Sequence, residues 1–180
     1  MDVQQGIVER FDPPAGALLD AVRRAVDAAR QAGIPVVYVR IAFRPGAPEI
    51  NRRNASFAAV AASGFSDQDE ATQIHADVAP QPGDIVVLKK RVSAFARSDL
   101  EIVLRSLQVE SLALTGIATS GVVLSTVRWA FDMDYSMVVV ADACADRDAE
   151  VHRVLTQKVL LAQATVVSTA EALQALGSAK

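Results

Sequence analysis

Few residues in this sequence are suited to chemistry. Asp2 opens the run Asp2-Val3-Gln4-Gln5-Gly6-Ile7-Val8, and Lys89 opens Lys89-Lys90-Arg91-Val92-Ser93-Ala94-Phe95. A third run, small and hydroxyl-rich, extends from Gly116 to Thr126. A carboxylate can give or take a proton, and a lysine beside it can hold it in place and ionised. A turn that leads from a strand into a helix aims backbone N–H groups at negative charge. Cys144 is the only thiol. Each residue also has a plainer reading. Asp2 alone reads as a charged residue near a terminus, and Lys89 as a strand-end surface lysine. Cys144 reads as a small buried hydrophobe. His75 and His152 lie too far apart to make a metal motif and read as structural or surface residues. The run Asn51-Arg52-Arg53-Asn54 reads as a solvated loop.

These residues need elements to position them. Apolar residues recur at helical spacing from Ala17 to Ala32, and Gly33 and Pro35 stop that helix. Pro35-Val36-Val37-Tyr38-Val39-Arg40-Ile41-Ala42-Phe43 is β-branched and apolar on both faces, as in a strand of a parallel sheet. The pattern repeats. Strands are predicted from Asp84, Ser111, Ser136 and Thr165. Helices are predicted over Ser98–Leu107 (with Ser98 as cap), Ser120–Met133, Ala149–Gln163 and Ala170–Leu176. Alternation of this kind means βαβ units and a mostly parallel, doubly wound α/β sheet with helices on both faces. Arg44 to Gln81 lacks a clean period and reads as a long excursion over the sheet edge. No internal repeat or linker divides residues 1–180, so one domain is expected.

The three runs together resemble the isochorismatase-like hydrolases, also called the cysteine hydrolase superfamily. Asp2 to Val8 looks like that family's D-x-Q-x-x-F/I-V. Lys89 to Phe95, followed by Ser98-Asp99-Leu100, looks like K-x-x-x-S-A-F…T-x-L. Gly116-Ile117-Ala118-Thr119-Ser120-Gly121-Val122-Val123-Leu124-Ser125-Thr126 looks like G-V/I-x-T-x-x-C-V-x-x-T. Ile74-His75 before Pro82-Gly83-Asp84, and Asp142-Ala143-Cys144-Ala145 before His152, add support. The resemblance covers nearly the whole chain.

The resemblance implies that Asp2 is the acid or base and Lys89 its partner, side by side next to the Gly116–Val122 turn. It also implies a non-proline cis peptide at Ile117–Ala118, with the N–H groups of Ala118 and Val122 lining an anion-binding turn. The decisive departure is Val122, which occupies the position of the family's nucleophilic cysteine. Ser120 and Ser125 are not convincing replacements, so any hydrolysis is expected to proceed without a thiol. The family's isochorismatases proper also lack the cysteine and cleave a vinyl ether by protonating carbon. They carry glycine there, and Val122 is larger. Phe43-Arg44-Pro45 replaces the Asp-x-His motif of zinc-binding relatives, so neither a metal nor any other cofactor is expected. Phe43, Arg52 and Arg53 are candidate substrate contacts. The alternative is a non-catalytic binding or assembly protein of the same fold. An open, positively lined pocket over Asp2 and Lys89 would favour the enzyme, and a plugged one the alternative.

The bulk numbers agree. The 180 residues are 51% hydrophobic and 22% charged, which suits a globular domain with a sizeable core. A formal charge of −3 gives no electrostatic case for nucleic acid or an anionic membrane. The apolar runs are too short to span a bilayer. A small-molecule substrate, a cytoplasmic location and a homo-oligomer are expected, with Trp129 and Phe131 in the core or at a subunit contact. One further expectation concerns the N-terminus. In the resembling family the aspartate ends the first, central strand, and here only Met1 precedes Asp2. That strand is expected to be missing from this chain, and a form with an apolar strand upstream is expected to fold better; the alternative is that another segment or a partner chain fills the gap.

Overall fold

The computed structural model describes residues 1–10, 15–62 and 65–178. Five strands form: β1 (Val37–Ile41), β2 (Ile85–Lys89), β3 (Ser111–Ile117), β4 (Ser136–Ala145) and β5 (Thr165–Val167). Every pairing between them is parallel. They fall into two blocks, β1–β2 and β3–β4–β5. Met1 and Asp2 lie between the blocks and bond to both. The Asp2 N–H donates to the Val39 carbonyl (2.8 Å), and the Ile117 N–H donates to the Met1 carbonyl (3.1 Å).

The helices are α1 (Gln5–Val8), α2 (Ala15–Gln31), α3 (Ala55–Ala62), α4 (Leu100–Ser106), α5 (Leu124–Phe131), α6 (Ala149–Val154) and α7 (Thr169–Ser178). They cover both sheet faces. Val139 of β4 packs in a core with Leu104, Val127 and Ala130 of α4 and α5. Its neighbour Val140 packs in a second core with Leu18 and Val22 of α2 and with Ala172 of α7. Adjacent strand residues point to opposite faces, so one strand feeds both cores.

Local signals account for most boundaries. Gly33 takes φ +69° after α2, and the Ile34 N–H returns to the Ala29 carbonyl, which closes the helix. Arg30 in the last turn of α2 pairs with Asp84 at 2.5 Å, tying the helix to the start of β2. The expected Ser98 cap is displaced by one residue. Asp99 occupies the cap position without a side-chain bond, and the Ser98 hydroxyl accepts from the Leu100 N–H (3.2 Å). The expected helix from Ser120 begins as a π turn over Thr119–Val123 before α5. The expected helix to Gln163 loosens after α6 into π and 3₁₀ turns. The excursion from Arg44 contains α3, which periodicity did not reveal. Its sequence Ala-Ser-Phe-Ala-Ala-Val-Ala-Ala is apolar all round and alanine-rich, so helix propensity is high but no amphipathic stripe exists.

Candidate active site

Asp2 and Lys89 meet where the carboxyl ends of neighbouring strands converge. Lys89 is the last residue of β2, and its side chain is 1% exposed. Its Nζ lies 2.7 Å from Asp2 Oδ2. The same ammonium donates to the carbonyls of Arg91 (2.9 Å) and Val92 (3.0 Å), so all three of its donors are used. Asp2 Oδ1 is buried and has no partner among the described residues. Burial pushes the Asp2 carboxyl above the ordinary aspartate range, and the adjacent Lys89 charge pulls the other way without cancelling it. Asp2 also takes φ +57°, which is uncommon outside glycine and is tolerated best by Asp and Asn. The chain leaves its extended course at this residue.

Gln4 explains how that departure is held. Its side chain is fully buried and replaces a strand residue. The Ile41 N–H donates to Gln4 Oε1 (2.8 Å), and Gln4 Nε2 donates to the carbonyls of Ile41 (2.8 Å) and Thr72 (2.6 Å). The amide thus continues the β1 ladder past the point where the backbone has turned away. Gln4→Ala would leave two buried groups of Ile41 without partners. At about 1–3 kcal/mol per group, a loss on the order of 2–6 kcal/mol is expected. Urea unfolding checks it, and a loss below about 1 kcal/mol would show that water replaces the amide.

The third run forms the turn after β3. The Ile117–Ala118 peptide is cis. Gly116 has φ +147°, and a Cβ there would lie 2.2 Å from the Met1 carbonyl oxygen, so only glycine lets the N-terminal segment approach. The Ala118 carbonyl accepts from the N–H groups of Gly121 (3.0 Å) and Val123 (3.3 Å). The Ser120 N–H donates to Asp146 Oδ2 at 2.6 Å, so the chain's own carboxylate takes one donor of the turn. Val122 is 2% exposed and packs in the core with Ala94, Phe95 and Met1. Thr126, four residues on, accepts from the Ala94 N–H (3.0 Å), which joins the Lys89 segment to α5.

The remaining candidates divide. Thr119, fully buried, lies 2.8 Å from His152 Nδ1, so His152 ties α6 to the turn. Burial lowers the His152 pKa, against the pull of Asp146. Asp142 Oδ1 accepts from the backbone N–H and hydroxyl of Thr169 and so fixes the start of α7. His75 caps a short turn by accepting from the Asp77 N–H. Phe43 is 1% exposed, edge-on to Phe57 with ring centres 6.0 Å apart. Arg52 and Arg53 are exposed. The structure therefore brings Asp2, Lys89 and the turn together and leaves the two arginines on the surface. Sequence reasoning missed the separate roles of Gln4 and Asp146. The Gln4 role was signalled only by its place in the first motif, and that of Asp146 by nothing local. Among the described residues no group of three or more His, Cys, Asp or Glu side chains is placed to hold a metal ion. No described helix is long and apolar enough to cross a membrane. Trp129 and Phe131 are each nearly half exposed.

Residues 1–171 match the isochorismatase domain. The chain belongs to the isochorismatase family. Within that family it is 37% identical over 141 residues to the ureidoacrylate amidohydrolase RutB of Pseudomonas syringae pv. syringae, a match covering 71% of this chain and 58% of the relative. The isochorismatase fold is shared with a cysteine hydrolase from Pseudomonas syringae pv. phaseolicola (TM-score 0.92, 24% identity, 99% of this chain and 91% of that one). It is also shared with N-carbamoylsarcosine amidase from Thermoplasma acidophilum (TM-score 0.75, 25% identity, 93% and 92%).

Cys144 is buried beside Gly116 in the β3–β4 pairing, and burial pushes its thiol up to about 12. The folded thiol keeps its proton where an unfolded one, near 8.5, has lost it. Stability is therefore expected to fall as pH rises from about 8.5 towards 12. Cys144→Ala should flatten that slope, and iodoacetamide should leave the folded protein unmodified at pH 8. Rapid alkylation without unfolding would contradict the buried placement.

Proposed function

We propose that this isochorismatase-family protein hydrolyses a small molecule with Asp2 as the proton-transfer group, Lys89 as its partner, and no covalent thiol step. The observation that carries the reading is the Asp2–Lys89 contact of 2.7 Å together with the unpartnered, buried Oδ1. The ion pair fixes one carboxylate oxygen and leaves the other to exchange a proton. A pKa raised by burial brings that oxygen nearer to neutral pH, where proton transfer is most effective. Val122 supplies no nucleophile, so water must attack directly, or bond cleavage must follow protonation of carbon as in a vinyl ether. The turn's N–H groups from Ala118 and Val122 are the proposed anion donors, and Phe43, Arg52 and Arg53 the proposed substrate contacts.

The name of the RutB relative makes ureido and carbamoyl compounds the first class to test, although the chain spans only 58% of that relative's length. The experiment is a hydrolysis screen against isochorismate, ureido and carbamoyl compounds, nicotinamide and small amides. The pH profile then separates the two proton roles. A rate that falls as pH rises through the Asp2 pKa means acid catalysis, and a rate that rises means base catalysis. A second reading, a non-catalytic ligand-binding or assembly protein located in the cytoplasm and self-associated, is favoured by one observation. Asp2, Lys89 and Val122 are at most 5% exposed, so the site is plugged. Absence of turnover across the screen, with measurable binding of one of its compounds, would favour that reading.

A further inference from the structure

Two cations, Lys90 and Arg91, directly follow Lys89 at the carboxyl end of β2. The backbone here curls around the Lys89 ammonium, and the carbonyl of Arg91 is one of its acceptors (2.9 Å). Another is the carbonyl of Val92 (3.0 Å), whose side chain is 42% exposed. Open surface therefore reaches the edge of the buried Asp2–Lys89 pair.

The Arg91 guanidinium is half-buried. It donates to the carbonyls of Lys90 (2.6 Å) and Glu49 (3.0 Å) and lies over the Phe57 ring, 5.7 Å from its centre. A guanidinium has five N–H donors, so three are left unbonded among the described residues. It forms no ion pair among them either, and a charge drawn partly out of water is costly unless it is paired. Lys90 Nζ donates to the Ala42 carbonyl (2.6 Å) and faces Phe43 at 5.9 Å. Among the described residues one carboxylate serves this cluster. Glu49 Oε1 lies 2.7 Å from the Arg44 guanidinium and 3.6 Å from Lys90 Nζ. The second contact is too long for a hydrogen bond. Three cations thus share a single carboxylate, in a chain whose formal charge is −3.

We infer that Lys90 and Arg91 form a carboxylate subsite, with Glu49 as the internal carboxylate that an incoming one displaces from Lys90. The planar fork of Arg91 suits a bidentate grip on a carboxylate, with the Phe57 face behind it, and Lys90 adds a point charge. Glu49 lies in the Arg44–Gln81 excursion, outside any helix or strand, so its side chain can give way without breaking an element. A ligand anchored at Arg91 extends past Val92 towards Asp2 and Lys89. The substrate class is then a small organic acid whose uncharged, scissile group lies at the end away from its carboxylate. That this ligand is a substrate rests on the reading of Asp2 and Lys89 as the hydrolytic pair; the anion site does not.

Side-chain NMR of the 180-residue protein, titrated with sodium acetate and with acetamide at constant ionic strength, tests the site without turnover. Acetate should shift the Arg91 Nε–H and Lys90 signals saturably, and acetamide should not. Arg91→Gln should weaken acetate binding about tenfold, the worth of a charge-assisted bond. Glu49→Gln should strengthen it about threefold, because the competing charge is gone. Thermal unfolding shows whether each variant is folded, and if Arg91→Gln is not, Glu49→Gln decides. The subsite is overturned if acetate gives no saturable shift, if acetamide acts equally, or if Glu49→Gln leaves acetate binding unchanged or weaker. Turnover of N-carbamoylglycine against N-carbamoylglycinamide separates this subsite from the hydrolytic reading. The acid should be preferred in kcat/KM, and Arg91→Gln should lower the ratio. Saturable acetate binding without turnover of any compound would sink the hydrolytic reading and leave the anion site standing. Turnover with no acetate shift and no preference for the acid would sink the anion site alone.

Discussion

Lys89→Met is expected to lower the unfolding free energy by about 3–5 kcal/mol, the usual cost of removing one member of a buried ion pair. Methionine fills a similar volume, so packing is largely kept. What is lost is electrostatic: the 2.7 Å contact to Asp2 and the bonds to the carbonyls of Arg91 and Val92. The Asp2 carboxyl, already raised by burial, would then keep only the weaker pull of the Met1 ammonium against that burial. The pH dependence follows from linkage. A carboxyl whose folded pKa lies above its unfolded value binds more protons in the folded state between the two values. Its penalty is fully present above the folded pKa, is relieved as pH falls through that value, and is gone below the unfolded value, near 3.9. The deficit of the variant should therefore shrink between neutral pH and about pH 4. Urea unfolding at both pH values checks this. A loss below about 1 kcal/mol at pH 7 would reduce the pair to the worth of a surface salt bridge.

The second large effect concerns activity. On whichever compound the screen identifies, Asp2→Asn is expected to cut kcat/KM by about 10²–10⁴, the usual contribution of a positioned acid or base. Asparagine is nearly isosteric and can still accept from Lys89, so the fold should persist while proton transfer is lost. The melting midpoint of the variant must be read beside its kinetics, so that unfolding is not mistaken for a chemical effect. Activity retained within threefold in a folded Asp2→Asn protein would remove Asp2 from the mechanism. The effects of Asp2→Asn and Lys89→Met on kcat/KM should also be far from additive, because the two side chains act as one unit.

Neither effect could be sized from sequence, although the residues could be chosen from it. Asp2 and Lys89 are 87 positions apart, and nothing local joins them. Their partnership was legible only because three motifs occur in a fixed order on a recognisable alternation of strands and helices. That alternation places strand ends, and hence Asp2, Lys89 and the Gly116 turn, on one edge of a parallel sheet. In the structure Met1 and Asp2 hydrogen-bond to both blocks of strands.

The sequence by itself determined the order of elements, the parallel α/β class and the place of the Ile117–Ala118 turn. These depend on side-chain period, on Gly and Pro, and on local motifs, all of which act within a few residues. The tertiary structure alone decided what those residues experience. It buried Val122 and both members of the Asp2–Lys89 pair, and it left one carboxylate oxygen without a partner. It set Asp146 on the Ser120 N–H, and it used the Gln4 amide as a substitute rung beside Ile41. It also opened an apolar cavity lined by residues of α2, α4 and α7. The physical reason is common to all of these. Desolvation, hydrogen-bond partners and empty volume depend on groups brought together from distant parts of the chain, and periodicity carries no record of them.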